Sequence, residues 1–92
     1  MDKDTLKMSI LELIILKILS EDTQLEYCAI LKKANSVEKL PFKIISDDLF
    51  LALCFLLIDK TIDSNNRVFS INNKGQKQLN TIKNKFKEYW GE

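Results

Sequence analysis

The residue types that most often catalyse reactions are scarce in this chain. It contains no histidine, the side chain most commonly used as a general base or metal ligand near neutral pH. Gly75 and Gly91 are its only glycines, too few for a glycine-rich phosphate loop. Asp47 and Asp48 are adjacent, which on a helix turns them about 100° apart and prevents them from acting as a carboxylate pair. We therefore expect no enzymatic activity, no metal and no cofactor.

The two cysteines, Cys28 and Cys54, lie far apart in the chain. Each falls within an apolar pattern of helical spacing. We expect both to be small buried side chains rather than partners in a disulfide or ligands of a metal.

A polar turn, Asn65-Asn66-Arg67, is the best candidate for a nucleic-acid contact. Asn tolerates the positive φ angles of tight turns, and the guanidinium of Arg67, the chain's only arginine, suits a phosphate or a minor groove. The alternative is an ordinary solvated turn.

A second candidate group stands at the start of a predicted helix and contains Lys43, Ser46 and Asp47. Free backbone N–H groups at a helix start suit a phosphate, and a carboxylate can accept a hydrogen bond from a cytosine amino group. Ser46 is a good N-cap. Asp47 and Asp48 would also simply complement the helix dipole, and two carboxylates repel phosphates, so this alternative stays open.

The basic charge of the chain is concentrated in its last third. Residues 60–92 hold seven Lys or Arg against three acids, although the whole chain has a net charge of only +1. Lys74 and Lys77 would add phosphate contacts near the turn, whereas the later lysines are expected to form the solvent-exposed face of an amphipathic helix.

These groups must be positioned by helices and a hairpin. Apolar spacing predicts helices over 9–20, 24–35 and 47–60, the second capped by Asp22 or Thr23. Two β-prone pieces predict a hairpin over 61–71, and Asn72 would cap a last helix over 73–90. The first helix is apolar on nearly every side, so only Glu12 and Lys17 would face water. The sequence predicts one mainly α domain with a small β-hairpin (α+β), in the order of a winged helix-turn-helix.

Three segments resemble winged-helix families. LELIILKIL resembles the first helix of PadR-like transcriptional regulators, SDDLFLALCFLLIDKTI their recognition helix and wing, and VFSINNKGQKQL the wing strand and last helix. The chain also resembles TubR-like adaptors of plasmid and phage partition systems, which share this plan. The resemblance implies a DNA-binding protein of either kind.

The third helix departs from the PadR pattern because Leu49–Ile58 is an unbroken apolar run of ten residues. About 20 would be needed to span a membrane. TubR-like recognition helices pack against each other in a dimer, and large apolar patches seldom stay open on monomers. A helix fully buried within a monomer is the alternative. The expected dimer contacts are Phe50, Leu51, Cys54, Phe55, Leu57, Ile58 and Trp90.

The expectation is a cytoplasmic homodimer that binds double-stranded DNA at inverted or repeated sites. Its purpose would be DNA segregation, with a tubulin-like GTPase as a further partner, or else transcriptional repression. The alternative from another class is a winged-helix module that uses its apolar helix to hold another protein.

Overall fold

The computed structural model describes residues 3–22, 24–37 and 43–83. These residues form a mainly helical α+β fold with a small antiparallel sheet, which confirms the predicted class. Their order is compatible with a winged-helix layout. The elements are α1 (Lys3–Glu21), β1 (Leu25–Glu26), α2 (Tyr27–Ala34), α3 (Ser46–Ile58), β2 (Ile62–Asn65), β3 (Val68–Ile71) and α4 (Asn73–Lys83).

Helix α1 is the centre of the core and begins at Lys3, earlier than the predicted residue 9. It contacts α2, α3, α4 and β3, so it is covered on several sides, as its apolar sequence predicts. Glu12 was expected to face water but is only partly exposed. Burial, and secondarily the negative charge of Asp59, raises the pKa of the Glu12 carboxyl above 4.5. The buried α1 side chains are Ile10, Leu11, Leu13, Ile14, Ile15, Leu16 and Leu19.

The sheet has the strand order β1-β3-β2, with both pairings antiparallel. Strand β1 was not predicted, because Leu25 and Glu26 had been assigned to a helix over 24–35. The open edge of β3 supplies hydrogen-bond partners that outweigh local helix propensity, and Leu25 pairs with Phe69. Helix α2 therefore starts at Tyr27 with Glu26 as its N-cap, so the cap predicted at Asp22 is wrong and Thr23 lies outside the described residues. Asp22 instead pairs with Lys33 across 3.0 Å.

The predicted hairpin is present, and its two-residue turn is Asn66-Arg67. Both residues have positive φ, 52° and 68°, and Asn65 pairs with Val68 across the turn. Positive φ at both central residues matches the type I′ turn that suits the twist of a hairpin. We call β2, the turn and β3 the wing.

Helix α3 spans Ser46–Ile58 and buries Leu49, Ala52, Leu53 and Leu56. Ser46 is not its N-cap as predicted: the cap position is Ile45, which has no side chain able to accept the bond. At the other end, the N–H of Lys60 donates to Leu57 O and that of Thr61 to Leu56 O. This Schellman ending places Lys60 at φ 63°. The helix therefore ends before the predicted residue 60.

Helix α4 begins as predicted, with Asn72 as its cap. Asn72 Oδ1 accepts a hydrogen bond of 3.0 Å from the Gly75 N–H, and Asn72 Nδ2 donates one of 2.7 Å to Lys60 O. Gly75 is buried against Thr61. The predicted continuation to residue 90, including Trp90, lies outside the described residues.

The cysteines are free thiols, but Cys28 is exposed and Cys54 only partly buried, so the prediction that both are buried is wrong. The reason is that α2 turns Ile30 and Ala34, not Cys28, towards the core.

Among the described residues, no helix has the length and apolar character required to cross a bilayer.

Candidate nucleic-acid interface

An open cleft of about 600 Å³ lies where the start of α2, the first turn of α3 and the wing meet. Its walls are mostly apolar, because three aromatic rings face it. Polar groups from α3 and the wing stand among these rings. The lining residues are Tyr27, Ser46, Asp47, Phe50, Ser64, Arg67 and Phe69.

Tyr27 joins α2 to the start of α3. Its hydroxyl donates a hydrogen bond of 2.7 Å to Ser46 O and also contacts Ser46 Oγ. Its ring meets that of Phe50 edge to face, with centroids 6.2 Å apart and planes at 74°. At the level of sequence, Tyr27 is one of the apolar positions that predict the helix over 24–35. The signal that was available is the hydroxyl, since a partly buried Tyr usually finds a polar partner.

The first turn of α3 brings one of its two aspartates to the cleft. Asp47 is exposed and lines it, whereas Asp48 forms an ion pair of 2.7 Å with Lys7 of α1. Asp48 is therefore committed to the contact between α1 and α3. Lys43 is exposed just ahead of the helix but does not line the cleft. Both aspartates lie where negative charge favours the helix dipole.

The wing contributes to two separate clefts. Arg67 lines the large cleft together with Ser64 and Phe69. Asn65 and Asn66 instead line a smaller cleft of about 200 Å³ with Gln24, Val68 and Ser70. The three polar residues of the predicted turn are thus adjacent in the chain but do not share one cleft.

Lys74 and Lys77 are not brought to the cleft. Lys74 Nζ donates a hydrogen bond of 2.7 Å to Asp59 O, at the carboxyl end of α3. Helix α3 has 13 residues and is therefore about 20 Å long, which separates this lysine from the first turn. Lys77 is exposed one turn further along α4. In the structure, Lys74 therefore joins the start of α4 to the carboxyl end of α3.

The surface of α3 opposite the core is apolar, and we call it the outer face. Phe50 and Ile58 are 60% and 72% exposed at its two ends, and Leu51 and Phe55 are also exposed between them. Of the other expected dimer contacts, Cys54 and Leu57 are partly buried beside this face. Trp90 lies outside the described residues.

The charge around the cleft is nearly balanced. Among the described residues that line it, the charged ones are Asp47 and Arg67, one of each sign. In the described part of the chain, no group of three or more His, Cys, Asp or Glu is arranged to hold a metal ion. The cleft therefore offers aromatic surface with a few hydrogen-bonding and charged groups.

No family model, curated protein or solved structure matches this chain. Functional inference therefore depends on the cleft and on the outer face of α3.

Proposed function

We propose that the protein is a non-enzymatic homodimer that binds double-stranded DNA in the cytoplasm with the first turn of α3 and the wing. The observation that carries the proposal is the convergence of Ser46, Asp47 and Arg67 on one cleft, although they come from distant parts of the chain. A helix start beside a hairpin offers backbone N–H groups and a guanidinium to the same duplex.

The outer face of α3 supports a dimer. Four large apolar side chains on one helix make an open patch that monomers rarely keep, and a twofold axis would bury it against its own copy. Two helix starts and two wings would then face one DNA molecule. Such an arrangement favours inverted or closely repeated sites.

Individual contacts follow from side-chain chemistry. Arg67 would bind a phosphate or enter a minor groove, and Lys43 would bind a neighbouring phosphate. Asp47 would accept a hydrogen bond from a cytosine amino group in the major groove. Asn65 and Asn66, on the other side of the wing tip, would contact the backbone.

DNA binding is tested by gel shifts with DNA flanking the protein's own gene, repeated over a series of salt concentrations. Each phosphate neutralised contributes about 0.9 to the slope of log K against log salt. Arg67→Asn keeps a residue that tolerates positive φ but removes the cation, so we expect the slope to fall by about two in a dimer with two wings. Lack of binding at low salt contradicts the proposal.

Dimerisation is tested by light scattering at micromolar concentration. Ile58→Lys places a cation on the outer face, at a helix end where the dipole favours it, and we expect it to yield monomers. Asn35→Lys is the matched control, because Asn35 is the exposed C-cap of α2. A stable monomer of the unaltered protein would refute the scheme.

The purpose of DNA binding is proposed to be segregation, with transcriptional repression as the second possibility. Dimers bound along a repeat array could nucleate a nucleoprotein filament for a tubulin-like GTPase partner, whereas dimers at a promoter would block polymerase. The neighbouring reading frame distinguishes the two: a tubulin-like GTPase favours segregation, and a transporter or metabolic operon favours repression.

A protein-interaction module is the second candidate function. The balance of charge in the cleft favours it, since the carboxylate of Asp47 beside Arg67 would repel phosphates. In that case the outer face would hold a different protein. The salt series separates the two functions, because a protein-binding module would not shift DNA.

A further inference from the structure

We propose that the cleft holds one unpaired nucleobase of the bound DNA. This inference rests on the proposed DNA binding and adds to it a preference for a site with an extruded base. The carrying observation is that the described residues lining the cleft between α3 and the wing include three aromatic rings and no lysine, whereas lysines are expected of a surface that binds only the phosphate backbone.

Tyr27 and Phe50 stand nearly perpendicular, at 74°, and Phe69 comes from the wing. A flat ligand that stacks on one of the first two rings would meet the other edge-on. Phe50 is 60% exposed and stands at the end of the outer face that borders the cleft, so stacking requires a dimer contact that leaves its ring open on the cleft side. Every base has a π-face, and a stacking side chain typically changes affinity by about 5- to 150-fold when replaced by alanine.

The polar groups of the cleft match the rest of a nucleotide. Asp47 and Ser64 can hydrogen-bond the edge of a base, and Arg67 can bind its phosphate. Arg67 holds φ at 68°, a conformation that Gly or Asn adopts at lower cost.

An amino-acid side chain of a protein partner would also fit apolar walls. The nucleobase is favoured because the cleft opens between the helix start and the wing, where the proposed duplex runs. In addition, Arg67, the one cation among the described residues that line the cleft, lies on the wing beside that path. A side chain of a protein partner would bring no phosphate group for Arg67 to bind. The two ligands are separated by the competition experiment below.

The test compares a duplex that the protein binds with the same duplex carrying one extra unpaired thymine, by fluorescence anisotropy. We expect the unpaired base to tighten binding by about 5- to 150-fold. Phe50→Ala should remove that gain, measured as the ratio of the two affinities of the same variant, because a weaker dimer would reduce binding to both duplexes alike. Phe55→Ala is the matched control, because Phe55 is an exposed aromatic residue of the same helix that does not line the cleft, and it should keep the gain.

A second measurement uses the unaltered protein, so no variant has to fold. The protein is bound to a duplex that carries 5-iododeoxyuridine at the unpaired position, and the complex is irradiated. The crosslink should map to Tyr27, Phe50 or Phe69. A crosslink elsewhere overturns the inference. Equal affinity for paired and unpaired duplexes also overturns it while leaving the proposed DNA binding intact, whereas failure to bind either duplex overturns both.

Competition distinguishes the ligand classes. Deoxythymidine monophosphate at millimolar concentration should weaken binding of the unpaired duplex towards that of the paired one. N-acetyltryptophanamide, which can stack but carries no phosphate for Arg67, should compete much more weakly. Displacement by the amide alone assigns the cleft to a protein side chain and overturns the inference.

Discussion

Replacing Gly75 by alanine tests how α4 is joined to the end of α3. A Cβ atom at this position would lie 2.2 Å from Thr61 O and 2.7 Å from Ile71 Cγ1. The Thr61 oxygen belongs to the backbone, so it cannot rotate away as the end of a flexible side chain can. Helix α4 must therefore move outward, and the Asn72 hydrogen bonds to Thr61 O and Lys60 O must lengthen with it.

The expected loss of stability follows from three terms. Overpacking costs about 1–3 kcal/mol. The two strained hydrogen bonds contribute about 1 kcal/mol each, and the helix propensity of alanine returns about 1 kcal/mol. We expect Gly75→Ala to lower the free energy of unfolding by about 2–4 kcal/mol, which for a domain of this size lowers Tm by about 10–25 °C.

Urea denaturation followed by circular dichroism at fixed protein concentration measures this change, since a dimer's stability depends on concentration. Gln76→Ala is the control because Gln76 is exposed in the same turn, and it should change stability by less than about 0.5 kcal/mol. If Gly75→Ala matches the unaltered protein or stabilises it, as helix propensity alone predicts, then α4 does not approach Thr61 as closely as described.

Three further substitutions have expected outcomes. Lys60→Gly should raise the free energy of unfolding by about 0.5–1 kcal/mol in urea titrations, because the positive φ costs a side chain more than glycine loses in entropy. Partial burial raises the pKa of the Glu12 carboxyl, so the stability that the protonated form contributes is lost as pH rises through that pKa. Glu12→Gln should therefore stabilise the protein more at pH 7 than at acidic pH in urea titrations, and an equal difference at both contradicts the assignment. Tyr27→Phe removes the hydroxyl that holds Ser46, and calorimetry should show a loss of about 1 kcal/mol; no loss would mean that water replaces the bond equally well.

Features set by local chemistry were predictable from the sequence. The positive φ of Asn66, the cap at Asn72 and the central position of α1 follow from turn preference, capping preference and an apolar surface on all sides. These features define the wing and the order of the elements. The start of α3 and the wing turn, two separate candidates in the sequence, meet at one cleft that Asp47 and Arg67 both line.

Features set by tertiary contact were not predictable in the same way. Strand β1 exists because β3 offers an open edge, and Ser46 turns to Tyr27 instead of capping α3. The placement of Lys74 at Asp59 O depends on how α4 meets α3, which no local pattern contains. The aromatic cleft was missed for the same reason, because its rings come from separate elements.

The strand order also constrains how copies of the chain can associate. Strand β2 lies at the border of the described sheet, is only four residues long, and exposes Asp63, Ser64 and Asn65. A short edge strand with polar, exposed side chains is a poor template for pairing with a further strand. Growth by adding strands would be open-ended and lead to fibres, whereas contact through a helix on a twofold axis closes after two copies. The wing can therefore project from the protein without becoming a site of aggregation.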